Sequence, residues 1–207
     1  MENSTIKNIF DFLEINEGKK TPFVWKLINH EPLTDEELIV KGNLDLANLK
    51  ITSLPEGLEV GAELDLYNCT SLTSLPEGLK VGRNLYLENC KSLTSLPYGL
   101  EVGGGLSLSN CTSLTSLPEG LEIKGSLDLR NCTSLTSLPE GLKVGSFLNL
   151  TNCTNLTSLS KGLEVGKDSM YWTSPIYIVG SGLEKFSDEE LRKMIELGFI
   201  KGSIIRN

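Results

Sequence analysis

Five cysteines recur at one interval: Cys69, Cys90, Cys111, Cys132 and Cys153 each stand 21 residues from the next. Pro55, Pro76, Pro97, Pro118 and Pro139 keep the same interval. Self-similarity with a period of about 20–50 residues marks a solenoid or array, whose units stack because none can bury its apolar face alone. One unit reads Leu127-Asp128-Leu129-Arg130-Asn131-Cys132-Thr133-Ser134-Leu135-Thr136-Ser137-Leu138-Pro139-Glu140-Gly141-Leu142-Lys143-Val144-Gly145. Such coils start at Leu64, Leu85, Leu106 and Leu127. Another starts at Leu148 and decays after Leu159, and a shorter one of 20 residues starts at Leu44, with Leu49 in place of the cysteine.

The Leu-x-Leu alternation has the period of a half-buried strand. The cysteine falls three residues after the second leucine, where the chain must bend away. Proline after Leu138 removes a ladder donor, and Gly141 permits a tight turn. A coil this short with one strand has no room for a full helix on its return. The return is therefore expected to be extended, polyproline-like or a single 3₁₀ turn.

The pattern Leu-x-Leu-x-x-Cys-x-x-Leu resembles the leucine-rich repeat, which carries Asn or Cys at that bend. The Leu-Thr-Ser-Leu-Pro segments are similar to the short coils of leucine-rich-repeat effectors secreted by pathogenic bacteria. The resemblance covers residues 43–166. It implies an α/β solenoid: a horseshoe or arc with one parallel β-sheet, a mostly non-helical convex side, and helical N- and C-terminal caps. One feature departs from the family. Its leading leucine is replaced by Gly61, Gly82, Gly103, Lys124 or Gly145, and the preceding Val60, Val81, Val102, Ile123 and Val144 are expected to fill that core position one residue early.

Three regions follow: an N-terminal cap over 1–42, about six coils over 43–166, and a C-terminal cap over 167–207. Ile6, Ile9, Phe10 and Leu13 have the spacing of an amphipathic helix over 5–15. Phe23, Val24, Trp25 and Leu27 add apolar bulk before Pro32, and Thr34 with Glu37 reads as a capping box opening a second short helix. Ser187 with Glu190 repeats that signal for a helix near 187–197, ended by Gly198. Tyr171, Trp172, Ile176 and Ile178 are expected to cover the last coil.

The remaining ladders read as structural. Cysteines 21 residues apart do not have zinc-site spacing and suit small, buried, hydrogen-bonding core residues. Their odd number and the polar stretch from Met1 to Asp11, without a signal pattern, fit a reducing, cytoplasmic setting, with delivery into a host cell compatible with the chain. Asn68, Asn89, Asn110, Asn131 and Asn152 precede the cysteines, either as a ladder of amides or as residues tolerant of the sharp bend. Thr73, Thr94, Thr115, Thr136 and Thr157 are expected to satisfy turn hydrogen bonds locally. Glu56, Glu77, Glu119 and Glu140, interrupted by Tyr98 and Lys161, form a solvated ridge.

The chain is expected to bind no metal or cofactor and to catalyse nothing. His30 is the single histidine, which leaves no Ser–His–Asp set, and Gly103-Gly104-Gly105 occupies an inter-coil turn rather than a phosphate loop. A net charge of −8 argues against nucleic acid or an anionic membrane as partner. No stretch approaches the roughly 18 apolar residues of a membrane span.

Core and turn positions repeat from coil to coil, but the outward strand positions do not. They read Asn43, Asp45, Ala47; Glu63, Asp65, Tyr67; Asn84, Tyr86, Glu88; Gly105, Ser107, Ser109; Ser126, Asp128, Arg130; Phe147, Asn149, Thr151. Alternation puts them on one face of a parallel sheet. The candidate partner-binding residues are Asp45, Glu63, Asp65, Tyr67, Tyr86, Glu88, Asp128, Arg130 and Phe147. Exposed aromatics suit interface anchors, and carboxylates outnumber the single arginine. The expectation is a non-enzymatic interaction module, monomer or weak dimer, that meets a protein partner with a basic and partly apolar patch. It could serve as an effector, a phage-encoded host-interaction protein or inhibitor, or a bacterial scaffold. The alternative is a structural role, as a virion or surface component or a ladder-type binder of ice or ions.

Overall fold

The computed structural model describes residues 23–166, 174–196 and 198–206. The helix expected over 5–15 and the covering residues Tyr171 and Trp172 lie outside them. The chain divides into two units, Met1–Leu38 and Ile39–Asn207.

In the first unit, helix α1 (Phe23–Ile28) accounts for the apolar bulk before Pro32. It is closed by Asn29, whose Nδ2 donates to the Trp25 carbonyl at 2.8 Å, and by His30 at φ 57°. Lys26 pairs with Glu37 at 2.9 Å. The Thr34–Glu37 capping bonds form: Glu37 N donates to Thr34 Oγ1 at 3.3 Å and Thr34 N to Glu37 Oε2 at 2.9 Å. They close a single turn, not the expected helix, because the chain runs directly into the extended Ile39 and Val40.

The second unit is a stacked parallel β-solenoid. Each coil contributes two strands of two residues each. Among the described residues they form two parallel sheets of eight strands. The first sheet stacks β1 (Ile39–Val40), β3 (Glu59–Val60), β5 (Lys80–Val81), β7 (Glu101–Val102), β9 (Glu122–Ile123), β11 (Lys143–Val144), β13 (Glu164–Val165) and β15 (Phe199–Ile200). The second stacks β2 (Leu44–Asp45), β4 (Leu64–Asp65), β6 (Leu85–Tyr86), β8 (Leu106–Ser107), β10 (Leu127–Asp128), β12 (Leu148–Asn149), β14 (Ile176–Tyr177) and β16 (Ile204–Ile205).

The expected single sheet is therefore corrected to two. The Lys-Val or Glu-Val pair before each glycine bonds to its counterpart in the next coil: Gly103 N donates to Val81 O at 2.9 Å. In the second sheet the direction reverses, and Leu85 N donates forward to Gly105 O at 3.0 Å. The valines do fill the core, with Val60, Val81, Ile123 and Val144 each 2% exposed. Glycine follows the valine where coils approach closely, since a Cβ on Gly82 would stand 2.2 Å from the Gly61 carbonyl oxygen, although Lys124 takes the same place after Ile123.

Inward leucines, the valine row and the cysteines make one continuous core, each apolar side chain contributing about 1.5–3 kcal/mol on burial. The asparagine ladder serves both expected roles. Asn68 and Asn131 hold φ of 58° and 59°, and Asn131 Nδ2 donates to Asn110 Oδ1 at 2.8 Å. Two of the threonines bond between coils rather than locally: Thr73 Oγ1 donates to Thr52 O at 3.1 Å and Thr115 Oγ1 to Thr94 O at 3.2 Å.

Both sheets take up strands from the segment after residue 166, at β14, β15 and β16. Helix α2 (Asp188–Met194) opens on a complete Ser187–Glu190 capping box. It stops earlier than expected, because Glu196 takes φ 46° before Gly198 is reached. Arg192 Nη1 then donates to Ile200 O at 3.4 Å, on the last strand of the first sheet, and Nη2 to Gly202 O at 3.2 Å just past it. Among the described residues helix is thus a minor component, six residues in α1 and seven in α2.

Candidate functional site

The outward face of the second sheet carries all nine candidate residues, but they separate into groups. Register pairs Asp45 with Asp65, Asp65 with Tyr86, Tyr86 with Ser107, and Ser107 with Asp128. Glu63, Asp65, Tyr67, Tyr86 and Glu88 therefore sit together on two adjacent rungs. Asp45 lies one rung outside them. Asp128 and Arg130 lie beyond the fourth coil, and Phe147 lies one rung further.

Their local bonds decide which are available. The aspartates of this column brace the strand exit: Asp65 Oδ1 accepts from Tyr67 N at 2.8 Å, and Asp45 and Asp128 do the same two residues on. Arg130 turns back on its own strand. Its Nη2 stands 2.7 Å from Asp128 Oδ2, and its Nε bonds both oxygens. That pairing raises the guanidinium pKa further. Phe147 meets Tyr177 edge-on, with ring centroids 6.1 Å apart and planes at 89°.

Tyr86 is held by a network. Asn84 Nδ2 donates to the Tyr86 hydroxyl at 3.0 Å and to Glu63 Oε1 at 3.1 Å, while Asn84 Oδ1 accepts from Gly105 N at 2.8 Å. The middle residue of the triple glycine has its explanation here, since a Cβ at Gly104 would stand 2.5 Å from Asn84 Oδ1. Tyr67 is the open aromatic of the group, 45% exposed, while Tyr86 is half-buried.

Sequence reasoning missed Tyr177, which shares the column of Tyr86. Its coil reads Ile176-Tyr177-Ile178-Val179-Gly180-Ser181, so Ile-x-Ile stands for Leu-x-Leu, glycine for the bend asparagine and serine for cysteine. The alternation was the available signal. Gly180 keeps the asparagine's left-handed φ, at 64°.

The first sheet offers a contrasting surface. Its outward residues carry both signs, and two pairs neutralise each other: Lys80 stands 2.7 Å from Glu59, and Lys143 pairs with Glu122. The cysteines are reduced and wholly buried. Each thiol donates to the coil before its own, as Cys111 Sγ does to Leu87 O at 3.0 Å. Burial pushes the Cys69 thiol up to about 11 and those of Cys111 and Cys153 up to about 12. Among the described residues no group of three His, Cys, Asp or Glu side chains could hold a metal ion, and no helix is long and apolar enough to cross a membrane. Compared with protein families, curated proteins and solved structures, the chain matches none of them.

Proposed function

We propose that the chain is a non-enzymatic protein-binding module that engages its partner through the outward face of the second sheet. The observation that carries this reading is the grouping of Tyr67 and Tyr86 with Glu63, Asp65 and Glu88 on two neighbouring rungs. Aromatic anchors among carboxylates suit a partner with a basic, partly apolar patch. Among the described residues, no lysine or arginine pairs with these three carboxylates, so their charge remains available. The leucine-rich-repeat resemblance belongs to the same reading, because it treats the variable outward positions as the recognition surface of a constant coil. Five buried free thiols favour a reducing compartment, and an effector or inhibitor role fits a chain that binds without catalysing.

Photo-crosslinking tests the placement. A benzophenone side chain at position 67 is expected to capture a discrete partner band from lysate that position 98 does not. Tyr98 is the control because it is more exposed, at 74%, but lies in the Pro-x-Gly turn. Equal capture at both positions, or capture at 98 alone, would remove the strand face as the binding surface.

A further inference from the structure

The fourth coil leaves a gap in this face. Its outward residues are Gly105, Ser107 and Ser109, none larger than serine. Tyr86 and Glu88 stand on the rung before it, Asp128 and Arg130 on the rung after. Tyr86, Ser107 and Asp128 are in register, so two strand spacings, about 10 Å, separate the flanking backbones. Register therefore sets a row of glycine and serine between two rows of larger side chains, which outlines a slot along the strands. Ser109 closes one end at 7% exposure, whereas Gly105 and Ser107 remain partly open.

Both walls are fixed in advance. Asn84 ties the Tyr86 hydroxyl to the Gly105 amide, and Arg130 is clamped on Asp128. Glu88 makes no ion pair among the described residues. Glu63 and Asp65 add negative charge behind Tyr86. The one cation facing outward on these rungs, Arg130, is clamped on Asp128, and Glu88 acts on it through space without forming an ion pair.

We infer that the slot receives an arginine side chain of the partner polypeptide, its guanidinium lying against the Tyr86 ring and pairing with Glu88. This rests on the reading of the face as a protein-binding surface and narrows it to one contact. The chemistry favours arginine over lysine. A guanidinium is planar, forks onto a carboxylate, stacks on an aromatic ring and is more weakly hydrated than an ammonium. Preformed walls reduce the ordering cost of binding.

The test is titration of the full ¹⁵N-labelled chain with N-acetyl-arginine methylamide, followed by amide shifts. Saturable shifts are expected at Tyr86, Ser107 and Glu88. The uncharged isostere N-acetyl-citrulline methylamide is expected to bind at least tenfold more weakly, and the lysine analogue several-fold more weakly. Glu88→Gln should weaken arginine binding at least fivefold and Ser107→Leu should abolish it, while Glu119→Gln on the turn ridge should leave it unchanged. Equal binding of citrulline, or an equal loss in Glu119→Gln, would overturn the inference. Should Ser107→Leu fail to fold, the Glu88→Gln and citrulline comparisons still decide. Partner capture that survives Ser107→Leu but is lost in Tyr67→Ala/Tyr86→Ala would remove the slot and leave the face standing. Capture that survives both would remove the reading beneath it.

Discussion

Asn84 joins two coils through one amide: its Nδ2 stands 3.0 Å from the Tyr86 hydroxyl and its Oδ1 accepts from the Gly105 amide of the next coil at 2.8 Å. The aromatic wall of the slot is thereby tied to the backbone of its floor. Asn84→Ala should destabilise the chain by about 1 kcal/mol and release the ring. Denaturant midpoints and Tyr86 ring resonances check this. An unchanged midpoint with an equally ordered ring would contradict it.

Glycines at the corner of the first sheet and one residue past it differ in crowding, Gly82 standing at the corner and Gly42 in register with Ala62. A Cβ on Gly82 would lie 2.2 Å from the Gly61 carbonyl oxygen, whereas one on Gly42 would meet nothing within 4 Å. Gly82→Ala should cost about 1–3 kcal/mol, because only the backbone can yield. Gly42→Ala should stay within about 0.5 kcal/mol of wild type. Similar melting shifts for both would mean that the corners stack less closely.

The thiol ladder predicts both inertness and alkaline sensitivity. All five sulfurs are buried, and burial favours the neutral thiol, raising Cys111 and Cys153 to about 12 from an ordinary value of 9.0. A raised folded pKa stabilises the fold fully below the unfolded value and loses that stability as pH rises through the folded value. Native protein at pH 8 should therefore resist a thiol-reactive dye that labels it completely in denaturant. Stability should fall from about pH 9 upward. Rapid labelling of the native chain would contradict the burial.

At the C-terminal helix the sign is opposite. The Ser187 amide, then the Ser187 hydroxyl, hold the Glu190 carboxyl below its ordinary value of 4.5. A lowered folded pKa gives stability that is present above the unfolded value and is lost as pH falls through the folded one. Carbon-detected titration should place the Glu190 midpoint of the native chain below the one it shows in denaturant. Coincident midpoints would mean that the capping box does not persist in solution.

The leucine register, the valine row, the asparagine bend and the C-terminal capping box could be read from the sequence because each is a local pattern repeated in place. The first sheet could not. Lys80-Val81 is too short to show alternation, and its ladder runs to Glu101-Val102 in another coil. Glycine after the valine read only as a departure from the leucine-rich pattern, because its constraint, contact with the preceding coil's carbonyl, lies between coils. At the candidate site, the sequence placed nine side chains on one face but not their bonds to one another. That Arg130 closes on Asp128, or that Phe147 packs against Tyr177, depends on rotamers and on a coil whose leucines have become isoleucines.

The most direct measurement is calorimetric titration of the crosslinked partner, once purified, into wild type, Tyr67→Ala/Tyr86→Ala and Tyr98→Ala. Loss of central aromatic anchors typically costs about 2 kcal/mol or more, roughly thirtyfold in Kd. The double variant should show at least that loss with an unchanged melting temperature, and Tyr98→Ala should bind as wild type does. Wild-type affinity in the double variant would contradict the assignment of binding to the strand face.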